Sequence, residues 1–145
     1  MNNNRNCEVL NDVTAKLIDS CKGYQMCAEV SDDNMLLKNQ FMQRQAARRE
    51  LVHEFQSKIT AEGGKYEDSG TMTGSLHRGY TKFISAFKDD EEAALDALDT
   101  GEEHLAEYIQ KQLKEPGLSL EATQLLNKAR ASALDGERFA DRLDD

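Results

Sequence analysis

Apolar residues recur at spacings of three and four along most of this sequence, and only one proline is present to interrupt them. Leu10, Val13, Leu17, Cys21, Tyr24 and Ala28 mark a first stretch, and Leu37, Phe41, Leu51, Phe55 and Ile59 a second. Leu95, Leu98, Leu105 and Ile109 mark another, followed by "EATQLLNKARASALDGERFADRL". A period near 3.6 gathers each set on one face of a helix and leaves the other face polar. Long helices are therefore predicted over residues 6–30, 35–62, 88–115 and 119–143. The hinge "SDDN", residues 31–34, is rich in capping side chains, and Pro116 lies in the stop "EPGLS". Hinges this short make the flanking helices antiparallel neighbours.

The one long break is "EGGKYEDSGTMTG", which starts at Glu62. Gly63 and Gly64 suit a helix C-cap, and Leu76, Tyr80, Phe83 and Phe87 form the stripe of a short helix over residues 72–88. The order is then hairpin, long connection with its own helix, hairpin. That order predicts an all-α, ferritin-like four-helix bundle of two antiparallel hairpins with a long crossover. At 145 residues the chain is expected to be one domain, 1–145. Residues 1–5 are expected to be disordered, and 63–88 to form the crossover loop and helix.

A formal net charge of −9 argues against nucleic acid as a partner, since "RQAARRE", residues 44–50, is the only basic cluster. No stretch approaches the ~18 apolar residues of a membrane span. The opening "MNNNRN" lacks a signal peptide's apolar core, so a cytoplasmic address is expected. Cys7, Cys21 and Cys27 match neither a zinc motif nor a redox CxxC, and Cys21 and Cys27 read as small core residues.

Bundles of this topology often hold two metal ions through a Glu on each of two helices and a Glu-x-x-His pair on each of the others. "ELVH" puts Glu50 and His53 on one helical face. The heptad that sets Phe41, Arg48 and Phe55 at position a, with Arg44 and Leu51 at d, turns both ligands outward, towards water. The last helix has no histidine; Ala129, Ser132, Ala133 and Gly136 line its inner side, leaving space for close approach or for Tyr80 and Phe83. The same phase turns Arg48 inward, and Glu102 completes the seam of Leu95, Leu98, Leu105 and Ile109. A buried guanidinium needs an anion, so Arg48 is expected to pair at mid-bundle with Glu102, with Asp19, or with both. No cofactor is expected. His77 and Arg78, beside the stripe that holds Tyr80, form a second candidate, a binding site that also takes in Tyr108.

With those residues placed, the chain resembles a family of bacterial ferritin-like four-helix-bundle proteins that is itself a domain of unknown function. The resemblance runs from about Leu10 to Leu143. It rests on Asp19-Ser20 ahead of Tyr24, on Arg48 with Glu54-Phe55, and on Gly63-Gly64 followed by Ser69-Gly70-Thr71. Gly74-Ser75-Leu76-His77-Arg78 with Tyr80, then Gly101-Glu102-Glu103 and Tyr108, complete it. Ser20, Phe55 and Thr71 are conservative departures, and the histidine that the family commonly carries near the end of its last helix has no counterpart. The resemblance implies a ferritin-like bundle whose pattern includes Arg48 and Glu102, and it brings no established activity.

The reading is thus a non-catalytic bundle, a stress-related or partner-binding module with an Arg–carboxylate network where a di-metal site would stand. A homodimer is expected from Met26, Met35 and Met42, which the main stripes leave unused. The rival reading is a di-iron or di-manganese oxidase or storage protein using Asp19, Glu102, Glu103 and His104. A third is small-ligand binding between the crossover helix and the bundle.

Overall fold

The computed structural model describes residues 3–31, 33–70 and 91–144. They form four helices: α1 (Asn3–Val30), α2 (Met35–Ala61), α3 (Glu91–Lys114) and α4 (Leu120–Asp144). The described chain is an all-α four-helix bundle, in which α1 packs along α2 and α3 along α4. The expected helix over 72–88 lies outside the described residues. α1 starts three residues earlier than its apolar period indicates. Arg5, in the stretch expected to be disordered, donates from Nε to the Pro116 carbonyl at 2.9 Å and from Nη2 to that of Gln112 at 3.3 Å.

Helix ends explain where the chain turns. Asn34 caps α2 by accepting from the Leu37 N–H at 3.1 Å. At the other end Gly63 takes φ +81°, and the N–H groups of Gly63 and Gly64 reach back to the Thr60 and Ile59 carbonyls, each at 3.0 Å. That pair of bonds is a Schellman ending, and it needs a left-handed residue at Gly63. Gly64 then passes so close to α1 that a Cβ there would stand 2.7 Å from Cys7 Sγ. Ser119 opens α4 by accepting from the Ala122 N–H at 3.1 Å, while its own N–H donates to Asn6 Oδ1 at 3.0 Å.

These contacts orient the bundle. The start of α1, the end of α2, the end of α3 and the start of α4 meet at one end. At the other, Tyr24, Cys27, Ala28, Leu37, Phe41, Leu95 and Phe139 pack together. So α1 and α4 run one way while α2 and α3 run the other, and the end of α2 stands at the opposite end of a bundle about 40 Å long from the start of α3. Residues 62–70 lie along α1. Asn11 donates to the Lys65 carbonyl at 3.0 Å and accepts from the Glu67 N–H at 2.7 Å, and Gln56 donates to the Glu67 carbonyl at 2.9 Å. Side-chain amides from both helices thus satisfy backbone groups that have no secondary structure of their own.

The core falls into two apolar clusters. The larger joins Leu10, Val13, Leu17, Leu51, Phe55, Ile59, Leu105, Ile109, Ala122 and Leu126 with their neighbours. The smaller is the Tyr24–Phe41–Phe139 group, where the Phe41 and Phe139 rings meet edge to face at 5.7 Å. Burying each of these large side chains contributes roughly 1.5–3 kcal/mol. Arg48 on α2 and Glu102 on α3 lie between the two clusters.

Two glycines, one at a helix end and one inside a helix, provide opposite tests of backbone conformation. Gly63→Ala forces a Cβ into the left-handed region and is expected to cost about 1 kcal/mol. Gly101, inside α3 with open space around its Cα, gains from the same change, by about 0.5–1 kcal/mol. Urea denaturation of the two variants should show midpoints moving in opposite directions.

Candidate functional site

Arg48 is 2% exposed and Glu102 4%. Each follows from its place on an amphipathic helix: Arg48 stands seven residues from both Phe41 and Phe55, and Glu102 seven from Leu95 and Ile109, so all face the axis. The guanidinium meets the carboxylate end on, Nη1 to Oε1 at 3.0 Å and Nη2 to Oε2 at 2.6 Å. Its other donors are also engaged. Nε donates to Ser132 Oγ at 3.1 Å, Nη2 to the Ser132 carbonyl at 3.3 Å, and Nη1 to Ser20 Oγ. All of the fork's N–H groups therefore have an acceptor. Burial alone would pull this arginine's pKa down, but the charge and hydrogen bonds of Glu102 outweigh it and hold the pKa above its ordinary value.

The carboxylate has one more partner. Tyr24 donates its hydroxyl to Glu102 Oε2 at 3.1 Å and accepts from Arg44 Nε at 3.3 Å. Burial, then the Glu102 charge, raises the Tyr24 phenol far above its usual range, so it stays a donor. The Arg44 guanidinium lies 4.8 Å from the Phe139 ring centre and 5.6 Å from that of Tyr24, and it closes the site by pairing with Asp135 at 3.1 Å. A chain of hydrogen bonds thus runs from an exposed aspartate to the bundle axis.

Gly136 makes the geometry possible. A Cβ there would stand 1.7 Å from Glu102 Oε2 and 3.0 Å from the Tyr24 hydroxyl. The small residue thus leaves room for the Glu102 carboxylate; Tyr80 and Phe83, the crossover aromatics of the other expectation, lie outside the described residues. The sequence does not mark Tyr24, Ser20, Ser132 and Gly136 as parts of this site. Their signal is a hydroxyl or a missing side chain at positions facing the arginine, legible only once the helices are in register.

Of the other candidates, Asp19 does not bond Arg48. It faces the loop after α2, where a Cβ at Gly70 would stand 2.0 Å from its Oδ1, and α1 offers Ser20 to the arginine instead. Glu50 and His53 are exposed on α2. Glu103 and His104 are exposed on α3, away from the inward Glu102, so the structure does not bring the rival metal set together. Among the described residues no group of three or more His, Cys, Asp or Glu side chains is placed to hold a metal. His77, Arg78 and Tyr80 lie outside the described residues. Tyr108 belongs to the α1–α3 seam: it donates to Asp12 at 3.2 Å, has Lys16 Nζ 4.6 Å from its ring centre, and is pushed up to about 12 by burial and then by Asp12. Burial raises the Cys27 thiol to about 12 and also raises Cys21 against the pull of Arg48 and Arg49, so both remain protonated at neutral pH.

Fold and site together define an all-α bundle built around a buried arginine–glutamate pair. Over residues 5–115 the chain matches the family described as Domain of unknown function (DUF2383), and it belongs to that family. No curated protein and no solved structure was found to match it. The matched stretch includes Ser20, Tyr24, Arg48 and Glu102 and ends before α4, which supplies Ser132 and Gly136.

Removing one partner of such a pair strands the other. Glu102→Ala is expected to cost about 3–5 kcal/mol, because the guanidinium stays buried without its anion. The double variant Arg48→Met/Glu102→Leu should recover most of that loss. Chemical denaturation of the single and double variants reads both effects.

Proposed function

We propose that this chain is a non-catalytic helical bundle that acts by binding a protein, a second copy of itself first of all. In this reading the Arg48–Glu102 pair occupies the mid-bundle place that metal ions take in ferritin-like proteins. The observation that carries it is the complete engagement of the Arg48 fork at the axis. A fixed cation already neutralises the carboxylate that the seam turns inward, and a metal ion beside it would meet that positive charge at short range. The shared direction of α2 and α3 supports the ferritin-like connectivity. Elemental analysis of protein purified without chelators is expected to find iron and manganese far below one per chain; near-stoichiometric metal would overturn the reading.

The face offered to a second copy is the outer side of α2. Met35 is 61% exposed and Met42 48%, and their spacing of seven puts them on one stripe. Sedimentation at high concentration is expected to give a dimer, which Met35→Glu/Met42→Glu converts to monomer. A wild-type monomer would remove this surface from the proposal.

A further inference from the structure

The outer sides of α2 and α3 differ in kind. Between residues 35 and 47 the exposed positions of α2 are Met35, Leu36, Asn39, Met42, Gln43, Ala46 and Ala47, and none of them is charged. Lys38 and Arg44, the charged residues of that span, are half-buried. On α3 the exposed positions from 103 to 114 are Glu103, His104, Glu107, Lys111 and Lys114, all of them ionisable. The formal net charge of the chain is −9. In so charged a molecule, a helix face roughly 18 Å long with two exposed methionines and no charge has the composition of an interface centre.

Charge returns at the two ends of this stretch, with opposite signs. Met35, Met42 and Arg49 follow one another at intervals of seven and so share a stripe, and Asp33 stands just ahead of Met35, beside the Asn34 cap. Asp33 and Arg49 are exposed, and among the described residues neither is in an ion pair. Glu50 lies about 100° further round the helix from Arg49, off the stripe. A stripe that is acidic at one end, apolar in its middle and basic at the other matches its own reverse. Laid parallel on a second copy, it sets Asp33 against Asp33 and Arg49 against Arg49. Laid antiparallel, it sets each against its opposite.

We propose that two copies of this chain pack α2 against α2 in antiparallel, about a two-fold axis at Met42. Met42 then meets its own counterpart, and the aliphatic stem of Arg49 lies over Met35 of the second copy with its guanidinium at that copy's Asp33. The contact repeats on the other side of the axis, so two ion pairs close the two ends of the apolar stretch. The inference rests on the reading that α2 is the face offered to a second copy, and it adds the direction and register of the two helices. A strongly acidic chain thereby associates with itself through a face that carries none of its net charge.

Charge reversal in the full chain tests this, with the dimer dissociation constant read by sedimentation at low salt, where exposed pairs are least screened. Arg49→Glu and Asp33→Arg each turn two attractions into two repulsions, and each alone is expected to weaken the dimer by roughly tenfold. Asp33→Arg is the sharper of the two, because it weakens the dimer while making the chain less acidic. The double variant restores opposite signs and is expected to return to within about twofold of the wild type. Met42→Cys is expected to give a disulfide-linked dimer on mild oxidation that the wild-type cysteines do not form. A wild-type monomer would overturn both the arrangement and the reading beneath it. A dimer that Met35→Glu/Met42→Glu breaks, but that neither reversal weakens or the double variant fails to restore, would overturn the antiparallel arrangement alone. So would a Met42→Cys chain that does not cross-link.

Discussion

The buried ion pair of Arg48 and Glu102 is the constraint that the rest of the bundle has to meet. Taking a guanidinium and a carboxylate out of water costs several kcal/mol for each, and their attraction repays this only when every remaining donor and acceptor is also satisfied. All four helices contribute, with Ser20 from α1, Arg48 from α2, Glu102 from α3, and Ser132 and the gap at Gly136 from α4. Apolar stripes tolerate small slips because one leucine packs much like another. A forked cation does not, since moving α4 by one residue would fill the gap at Gly136 and take the Ser132 oxygens away. The pair therefore selects one register among the many that hydrophobic burial alone would allow.

This layer also divides the core and ties the parts together. Tyr24 belongs to the smaller apolar cluster by its ring and to the polar layer by its hydroxyl. Arg44 repeats the pattern one turn from Arg48, stacking on Phe139 and Tyr24 while its charge reaches Asp135 at the surface. The interior is thus apolar, polar and apolar in turn, with aromatic rings shielding the charges from water. In that interior the donors of Arg48 are spent on its neighbours, and the thiols of Cys21 and Cys27 and the phenol of Tyr24 are held in their protonated forms.

The two ends of the bundle are built differently. Where α1 and α4 begin, backbone groups are closed by side chains: Arg5 on the Gln112 and Pro116 carbonyls, Asn6 on Ser119, and Ser119 on its own helix. The opposite end relies on a small apolar cluster of Tyr24, Phe41, Leu95, Phe139 and their neighbours. One end is thus closed by polar caps and the other by apolar packing, so the two ends of the bundle answer to different interactions.

The four helices, their hinges and the inward turn of Arg48 and Glu102 were legible because helical period is a property of neighbouring residues. Leu10, Val13 and Leu17 declare a face whatever they later touch, and the same count that points Phe41 and Phe55 inward points Arg48 inward and His53 outward. The start of α1 was not legible: Arg5 has no periodic partner, and carbonyls more than a hundred residues away hold it. Nor was the choice of Ser20 over Asp19, since adjacent residues on a helix differ by about 100° and the rotation of α1 against α2 decides which one meets the guanidinium. Local spacing thus determined which residues lie inside, and only tertiary packing decided which of them touch. Hydrogen bonds and ion pairs depend on distances of a few tenths of an ångström between segments far apart in the chain, and no pattern along one segment encodes those.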